Sequence, residues 1–202
     1  PWNIPNVKSL PEINNNITEE ESDTFLPYKL NKKTLARKWA IPGTPGLEHR
    51  IGGLEKADRT GNVSYEPDNH HHMVELRQQK IDIIADFIPD AKPYGEDKGK
   101  LLILGWGGTY GAIRAAVEKA NKNNLSVSHL HLKHINPLPK NLGEVLLKYN
   151  KVLIPEINLG QLSSIIRSKY LIDTLDYNRV SGKPFTTSDI YSKILELLED
   201  KS

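Results

Sequence analysis

The sequence has 202 residues, of which 38% are apolar, 26% charged and 7% aromatic, a composition typical of a soluble chain that buries one large core or two small ones. Lysine and arginine number 27 against 25 aspartates and glutamates, so the basic stripe of a nucleic-acid-binding surface is excluded. The chain has no cysteine. It can therefore supply no disulfide, thiolate metal site, Cys-ligated iron–sulfur cluster or cysteine nucleophile.

The sequence carries no signal for a membrane or for secretion. It contains no run of about 18 apolar residues and no charged segment followed by an apolar one at its N-terminus, so we expect a cytoplasmic protein. The chain begins Pro1-Trp2-Asn3 without a methionine. This start indicates a segment of a longer polypeptide or a processed product.

Residues 1–66 predict an extended, irregular arm that links a preceding domain or lies on another surface. Prolines recur through it, the acidic run Glu19-Glu20-Glu21 interrupts it, and no hydrophobic period is sustained. Large aromatic rings are spaced along it: Trp2, Phe25, Tyr28 and Trp39. Rings in such a segment favour contact with a partner surface over a disordered tail. Glycine-rich turns at 42–49 and 53–56 also indicate one specified conformation.

From Pro67 the pattern becomes periodic and predicts a helix over 70–88 and a connection to residue 96. Residues 97–202 alternate between apolar strands and amphipathic helices, which is typical of an α/β domain. The predicted strands are 101–104, 126–132, 151–155 and, at an edge, 177–180. The predicted helices are 108–121, 142–149, 160–169 and 187–198. We therefore expect an open, mostly parallel sheet with helices on both faces.

A glycine-rich segment, residues 105–111, follows the first strand of this domain and opens a helix, where backbone N–H groups can cradle an anion. It does not fit the dinucleotide fingerprint, because Tyr110 stands where the third glycine belongs and no acidic residue ends the next strand. No Walker lysine follows either. A tight turn with close packing is the favoured interpretation. The candidate residues for a bound phosphate or cofactor are Gly107, Gly108, Thr109 and Gly111.

Parallel strands end at one edge of a sheet, so the segments 105–111, 136–138 and 156–161 should converge there. Candidate crevice or interface residues are Pro137, Glu156, Asn158 and Gln161. Glu156 is the one carboxylate among them, and without a histidine, lysine or metal partner it does not make an acid–base site. It is expected to accept hydrogen bonds from backbone N–H groups at the next helix start. A docking surface is favoured, and no catalytic residue is expected.

The histidines do not predict a metal site. The run His70-His71-His72 lies on a helix, where consecutive side chains point about 100° apart and cannot close on one ion. His129 and His131 share one face of a strand but lack a third ligand. A hydrogen-bonded or solvated pair is the favoured interpretation for them.

Short motifs in a specific order make this chain similar to the C-terminal region of the alpha subunit of 2-oxoacid:ferredoxin oxidoreductases, most like the 2-oxoglutarate type. In the first part of the chain they are Pro1-Trp2 with Ile4-Pro5, Phe25-Leu26-Pro27-Tyr28, Ile41-Pro42-Gly43-Thr44-Pro45-Gly46, Gly53-Leu54-Glu55, and Asn69-His70 with Met73, Arg77 and Lys80. In the α/β part they are the segments 105–111, 136–139, 156–162 and 180–185. One departure is Lys56, where many relatives have histidine.

The resemblance implies a complex that decarboxylates a 2-oxoacid on thiamine diphosphate with magnesium, reduces ferredoxin through an iron–sulfur cluster and delivers the acyl group to coenzyme A. It implies that these groups lie on a preceding thiamine-binding domain of the alpha subunit and on the beta subunit, and that this region has a transketolase C-terminal-like fold. The region would then scaffold and dock within an oligomer without being catalytic alone. The alternative is a module that binds coenzyme A or another phosphate-bearing ligand at the glycine-rich loop.

Overall fold

The computed structural model describes residues 4–13, 17–18 and 25–199. Trp2, a predicted anchor of the arm, and the acidic run Glu19-Glu20-Glu21 lie outside the described residues. The chain divides into two compact units, with the boundary between residues 84 and 85. The sequence predicts an arm at 1–66, a helix and connection at 67–96 and an α/β domain at 97–202. This division stays a prediction.

The first unit consists of irregular chain held by short pairings, followed by one long helix. Strand β1 (Ile17–Thr18) pairs in parallel with β2 (Trp39–Ala40), and isolated antiparallel bridges join Tyr28 to Arg59, Leu30 to Arg37 and Lys56 to Val63. Helix α1 spans Pro67–Ile83. It starts earlier than the sequence predicts because proline fixes the backbone angle that a first helical residue needs, and after Ile83 the chain tightens into a 3-10 turn at Ile84–Asp86.

Glu55 ties this irregular chain to α1. Its carboxylate accepts hydrogen bonds from both terminal nitrogens of Arg77, at 3.1 and 3.2 Å, and from His70 Nδ1 at 2.6 Å. The hydrogen bonds from Arg77 and then His70 lower the pKa of Glu55 to about 2. The neighbouring Lys56 is buried, and its ammonium group donates to two carbonyl oxygens of the preceding loop. The Gly-Leu-Glu-Lys turn is thus fixed by charge-assisted hydrogen bonds.

The second unit, which we also call the sheet unit, is a four-stranded parallel sheet with helices on both faces, which confirms the predicted fold class. Its strands are β3 (Gly99–Trp106), β4 (Val127–Leu132), β5 (Tyr149–Glu156) and β6 (Leu175–Asn178), in the spatial order β4-β3-β5-β6. Its helices are α2 (Tyr110–Lys122), α3 (Leu142–Leu146), α4 (Gln161–Tyr170) and α5 (Thr187–Glu199). Within the described ranges, no helix combines the length and the apolar character that a membrane span requires.

The core of this unit has two halves, one on each face of β3. Leu101 and Ile103 pack with α2 and α5, whereas Leu102 and Leu104 pack with α3 and α4. All four side chains are completely buried. A strand covered on both faces is apolar at every position, and this explains why the run was recognisable in the sequence.

In the second unit, the edge strand and helix α3 do not lie where the sequence predicts them. The edge strand was expected at 177–180, but it pairs with β5 from Leu175 to Asn178, because the register of β5 decides where the ladder begins. Val180 is 68% exposed instead. Helix α3 was expected to reach Tyr149, but that residue starts β5 by pairing with Gly99, so the helix is one short turn.

Candidate functional site

The structure brings the three predicted segments to the same edge of the sheet. Strand β3 lies between β4 and β5, and all three run in parallel, so the segments that follow them, 105–111, 136–138 and 156–161, leave the sheet side by side. Residues 179–182 leave beside them after β6. We call these four segments the carboxyl edge. In open α/β sheets this edge is where ligands are bound.

Glu156, the last residue of β5, is completely buried at this edge. Its Oε2 accepts hydrogen bonds from the backbone N–H of Leu162 at 3.0 Å and from the indole Nε1 of Trp106 at 3.3 Å, and its Oε1 accepts one from the N–H of Ser163 at 3.0 Å. The two N–H groups belong to the first turn of α4, whose positive end a carboxylate stabilises. The predicted bonds to the next helix start are therefore present, and the bond to Trp106 is additional.

The side-chain oxygens of Asn158 and Gln161 accept hydrogen bonds from their own loop. Asn158 Oδ1 accepts a hydrogen bond from the N–H of Gly160 at 2.8 Å, and Gln161 Oε1 accepts one from the N–H of Leu159 at 3.1 Å. Gly160 has a φ of 90°, and a Cβ there would lie 2.8 Å from Asn178 Nδ2, so only glycine fits. The loop is therefore fixed in one conformation.

Pro137, the remaining interface candidate, follows β4 on the carboxyl edge and is partly exposed. The next residue, Leu138, is buried in the same half of the core as Leu162. A shared core cluster thus anchors the loop after β4 and the start of α4. The structure places Pro137 on the same edge as Glu156.

The glycine-rich loop contains two kinds of glycine. A Cβ on Gly105 would lie 2.6 Å from Ile113 Cδ1, and Gly107 has a φ of 57°, so these positions require glycine for packing and for backbone conformation. Thr109 is buried and its hydroxyl donates to the carbonyl of Trp106 at 2.8 Å. At Gly108 and Gly111, by contrast, a Cβ would meet no atom within 4 Å. The interpretation as a tight turn with close packing explains Gly105 and Gly107 but does not explain Gly108 and Gly111.

His129 and His131 form a ring cluster with Tyr110, the first residue of α2. The Tyr110 ring centroid lies 5.5 Å from that of His129 and 5.0 Å from that of His131. His129 is 2% exposed, and its Nε2 has no hydrogen-bond partner among the described residues; the same holds for His131 Nδ1. The prediction of a hydrogen-bonded or solvated pair is therefore wrong for His129, which packs as an aromatic core residue.

Burial controls the titration of these two imidazoles. Burial, with smaller contributions from the neighbouring His131 and Arg114, lowers the pKa of His129 to about 4. Burial also lowers the pKa of His131, with Lys133 contributing. Both rings are thus neutral at pH 7. In the part of the chain that the structure describes, no three metal-ligating side chains come together.

Apolar side chains are exposed after every strand of the sheet. They are Tyr110 after β3, Ile135 after β4, Ile157 and Leu159 after β5, and Val180 after β6. Leu159 is 79% exposed although its loop is fixed by hydrogen bonds. An apolar surface on a rigid support is typical of a protein interface.

Comparison with known proteins identifies relatives of this chain. No family model matches it. The 2-oxoglutarate oxidoreductase subunit KorA of Mycobacterium tuberculosis is 46% identical over 213 residues, which cover 100% of this chain and 32% of that protein. Subunit alpha of 2-oxoacid:ferredoxin oxidoreductase 1 of Aeropyrum pernix is 27% identical over 160 residues, which cover 72% of this chain and 24% of that protein. This chain is a homologue of part of the 2-oxoacid:ferredoxin oxidoreductase alpha subunit.

A solved member of the oxidoreductase family has the same fold. The 2-oxoglutarate:ferredoxin oxidoreductase from Magnetococcus marinus, solved with 2-oxoglutarate, coenzyme A and succinyl-CoA bound, matches 96% of this chain with a TM-score of 0.87 and 29% identity. The match covers 34% of that protein's chain. The chain thus spans about a third of the length of KorA and of the solved oxidoreductase, and the resemblance stated from the motifs is confirmed.

Proposed function

We propose that this chain is the C-terminal part of the alpha subunit of a 2-oxoglutarate:ferredoxin oxidoreductase. The complex would convert the 2-oxoacid, coenzyme A and oxidised ferredoxin to acyl-CoA, carbon dioxide and reduced ferredoxin, and would lie in the cytoplasm. The observation that carries the proposal is the alignment of the entire chain, at 46% identity, with a subunit of a 2-oxoglutarate oxidoreductase. The solved relative, whose name includes the same substrate, supports it.

Within that complex, the second unit would scaffold and dock rather than catalyse. Glu156 is completely buried and both of its oxygens accept internal hydrogen bonds, so this carboxylate has a structural role at the start of α4. The exposed Ile157 and Leu159 beside it suit contact with another protein surface. The expected partners are the preceding thiamine-binding domain of the same subunit, the beta subunit and, through the complex, ferredoxin.

The cofactors of the proposed reaction would be held elsewhere in the complex. A Cys-ligated iron–sulfur cluster needs thiolates, and this chain has no cysteine. Across residues 4–13, 17–18 and 25–199, no three histidine, aspartate or glutamate side chains lie close enough together to hold one metal ion. By the resemblance to the oxidoreductase family, the preceding domain and the beta subunit would hold thiamine diphosphate, magnesium and the cluster.

The direct test is turnover by the complete complex that contains this chain. We expect reduction of ferredoxin to require both coenzyme A and a 2-oxoacid, with a higher kcat/KM for 2-oxoglutarate than for pyruvate. Equal use of the two acids would contradict the substrate assignment. Ferredoxin reduction that does not depend on any 2-oxoacid would contradict the proposed reaction.

Gly108 and Gly111 favour a second candidate function, the binding of coenzyme A or another phosphate-bearing ligand at the glycine-rich loop. Neither position has a neighbouring atom that a Cβ would meet, and neither has a positive φ. Packing therefore does not explain the two glycines, whereas close approach of a ligand to the backbone does.

Replacing Gly108 with valine tests this alternative. If the loop binds coenzyme A, the bulky side chain should raise the apparent KM for coenzyme A by about tenfold, because it displaces the ligand from one or two backbone hydrogen bonds. Assembly should not change. The matched control is Gly52→Val, since a Cβ at Gly52 also meets no atom within 4 Å. A KM that is the same in both variants excludes coenzyme A from the loop.

A further inference from the structure

An open cavity of about 400 Å³ in the first unit has basic residues from three segments of the chain in its lining. Lys29 and Lys32 reach it from one turn, Arg59 from the loop before α1, and His72 from α1 itself. Leucines at 30, 35 and 76 supply apolar lining. A cavity of this volume suits a small-molecule ligand, and it shares no residue with the carboxyl edge.

Two lining residues have backbone conformations that side chains rarely adopt. Leu35 has a φ of 51° and Arg59 a φ of 64°, both in the left-handed region that favours glycine. Hydrogen bonds hold them there: the N–H of Leu35 donates to the carbonyl of Asn31 at 2.8 Å, and the carbonyl of Arg59 accepts from the N–H of Tyr28 at 3.0 Å. Strained residues held in this way concentrate at ligand sites.

The charges of the cavity are unbalanced. Among the described residues, Lys29, Lys32 and Arg59 have no carboxylate oxygen within 4.0 Å. The one acidic residue in the lining, Asp58, places Oδ2 3.7 Å from His72 Nε2. The net charge around the cavity is thus positive even with His72 neutral. A concave surface of one sign concentrates ligands of the opposite sign.

We propose that this cationic cavity, lined by Lys29, Lys32, Arg59 and His72, binds the phosphate group of a small organic phosphate. A phosphate carries charge on several oxygens, so it can accept hydrogen bonds from more than one cationic side chain of the lining. The apolar lining from Leu35 and Leu76 would hold the organic part of the ligand. The inference does not depend on the proposed function.

The test is isothermal titration of the full-length polypeptide that contains this chain, with inorganic phosphate and AMP as probes at constant ionic strength. We expect AMP to bind more tightly than phosphate, because it also covers the leucines. Lys32→Gln should weaken the binding of both probes by about tenfold, the cost of one charge-assisted hydrogen bond. The matched control is Lys33→Gln, since Lys33 is exposed and next in sequence but outside the lining, and it should change affinity less than about twofold.

A second variant removes a different cation. Arg59→Asn deletes the guanidinium while keeping a residue that tolerates the left-handed conformation, so it should weaken binding as Lys32→Gln does without unfolding the loop. Hydrogen–deuterium exchange gives the location: AMP should slow exchange at residues 29–35. These results together support the proposal.

Several outcomes would overturn the proposal. Equal losses in Lys32→Gln and Lys33→Gln would mean binding by overall charge, and succinate binding as tightly as phosphate would mean no preference for a phosphate group. A loss in Gly108→Val with none in Lys32→Gln would assign the anion to the glycine-rich loop. Turnover is not a readout here, so these outcomes leave the proposed function untouched.

Discussion

Replacing Glu156 with alanine is expected to lower the free energy of unfolding by about 3 kcal/mol. The substitution leaves three donors without an acceptor: the buried N–H groups of Leu162 and Ser163 and the partly buried indole N–H of Trp106. It also leaves a small cavity, because Glu156 is completely buried. The start of α4 should be destabilised most, because the carboxylate accepts hydrogen bonds from N–H groups of the first turn that have no partner within the helix.

Urea unfolding followed by tryptophan fluorescence measures this effect, and Trp106 reports the change directly because its indole loses its partner. Glu144→Ala is the matched control, since Glu144 is exposed in the first turn of α3 and should change stability by less than about 0.5 kcal/mol. Glu156→Gln should fall between the two, because an amide keeps one acceptor oxygen. If Glu156→Ala is as stable as Glu144→Ala, the role assigned to the carboxylate is wrong.

Acidification is expected to destabilise the sheet unit through His129. Its folded pKa of about 4 lies below the ordinary value of 6.5, so the unfolded chain takes up the proton first. The contribution of the neutral His129 ring to the free energy of unfolding is complete above pH 6.5 and is lost as the pH falls from 6.5 to 4. The difference between the unfolded and folded pKa lowers the free energy of unfolding by roughly 3 kcal/mol at pH 4, since one pKa unit is worth about 1.4 kcal/mol.

Comparison of the pH dependence of unfolding in His129→Leu and the unsubstituted protein tests this. Leucine keeps an apolar side chain beneath Tyr110 and cannot titrate, so the variant should lose roughly 3 kcal/mol less between pH 7 and pH 4. The control is His134→Leu, because His134 is exposed. An unchanged pH profile in His129→Leu would show that this ring does not carry the acid sensitivity.

The strands and helices of the sheet unit could be predicted because buried strands and helix faces have recognisable apolar patterns in the sequence. Residues 101–104 are apolar without interruption, and α2 repeats its apolar residues at helical spacing. The edge strand was misplaced because Tyr177 and Val180 have strand-forming side chains, whereas pairing with β5 selects 175–178. Register is a property of two strands, and one segment does not specify it.

The candidate site was predictable only in part. The contact of Glu156 with the next helix follows from its position between a strand and a helix. Its bond with Trp106 joins residues fifty positions apart and depends on β3 lying beside β5, which the sequence does not state. The burial of His129 likewise depends on Tyr110 of α2 covering it. In the first unit, the hydrogen bonds from Arg77 and His70 to Glu55 could not be predicted from sequence patterns either.

One pair of variants tests whether the carboxyl edge docks the second unit within the oxidoreductase complex. Leu159 lies on that edge and is 79% exposed, whereas Leu171, 90% exposed, follows the opposite end of α4. Aspartate at either position should leave the fold unchanged, because neither side chain is buried.

The measurement is sedimentation velocity of the complete complex carrying Leu159→Asp or Leu171→Asp. Leu159→Asp should lower the association constant at least about tenfold, because a leucine buried at an interface contributes roughly 2 kcal/mol. Leu171→Asp should change it less than about twofold. If both variants assemble as the unsubstituted complex does, the carboxyl edge is not a docking surface.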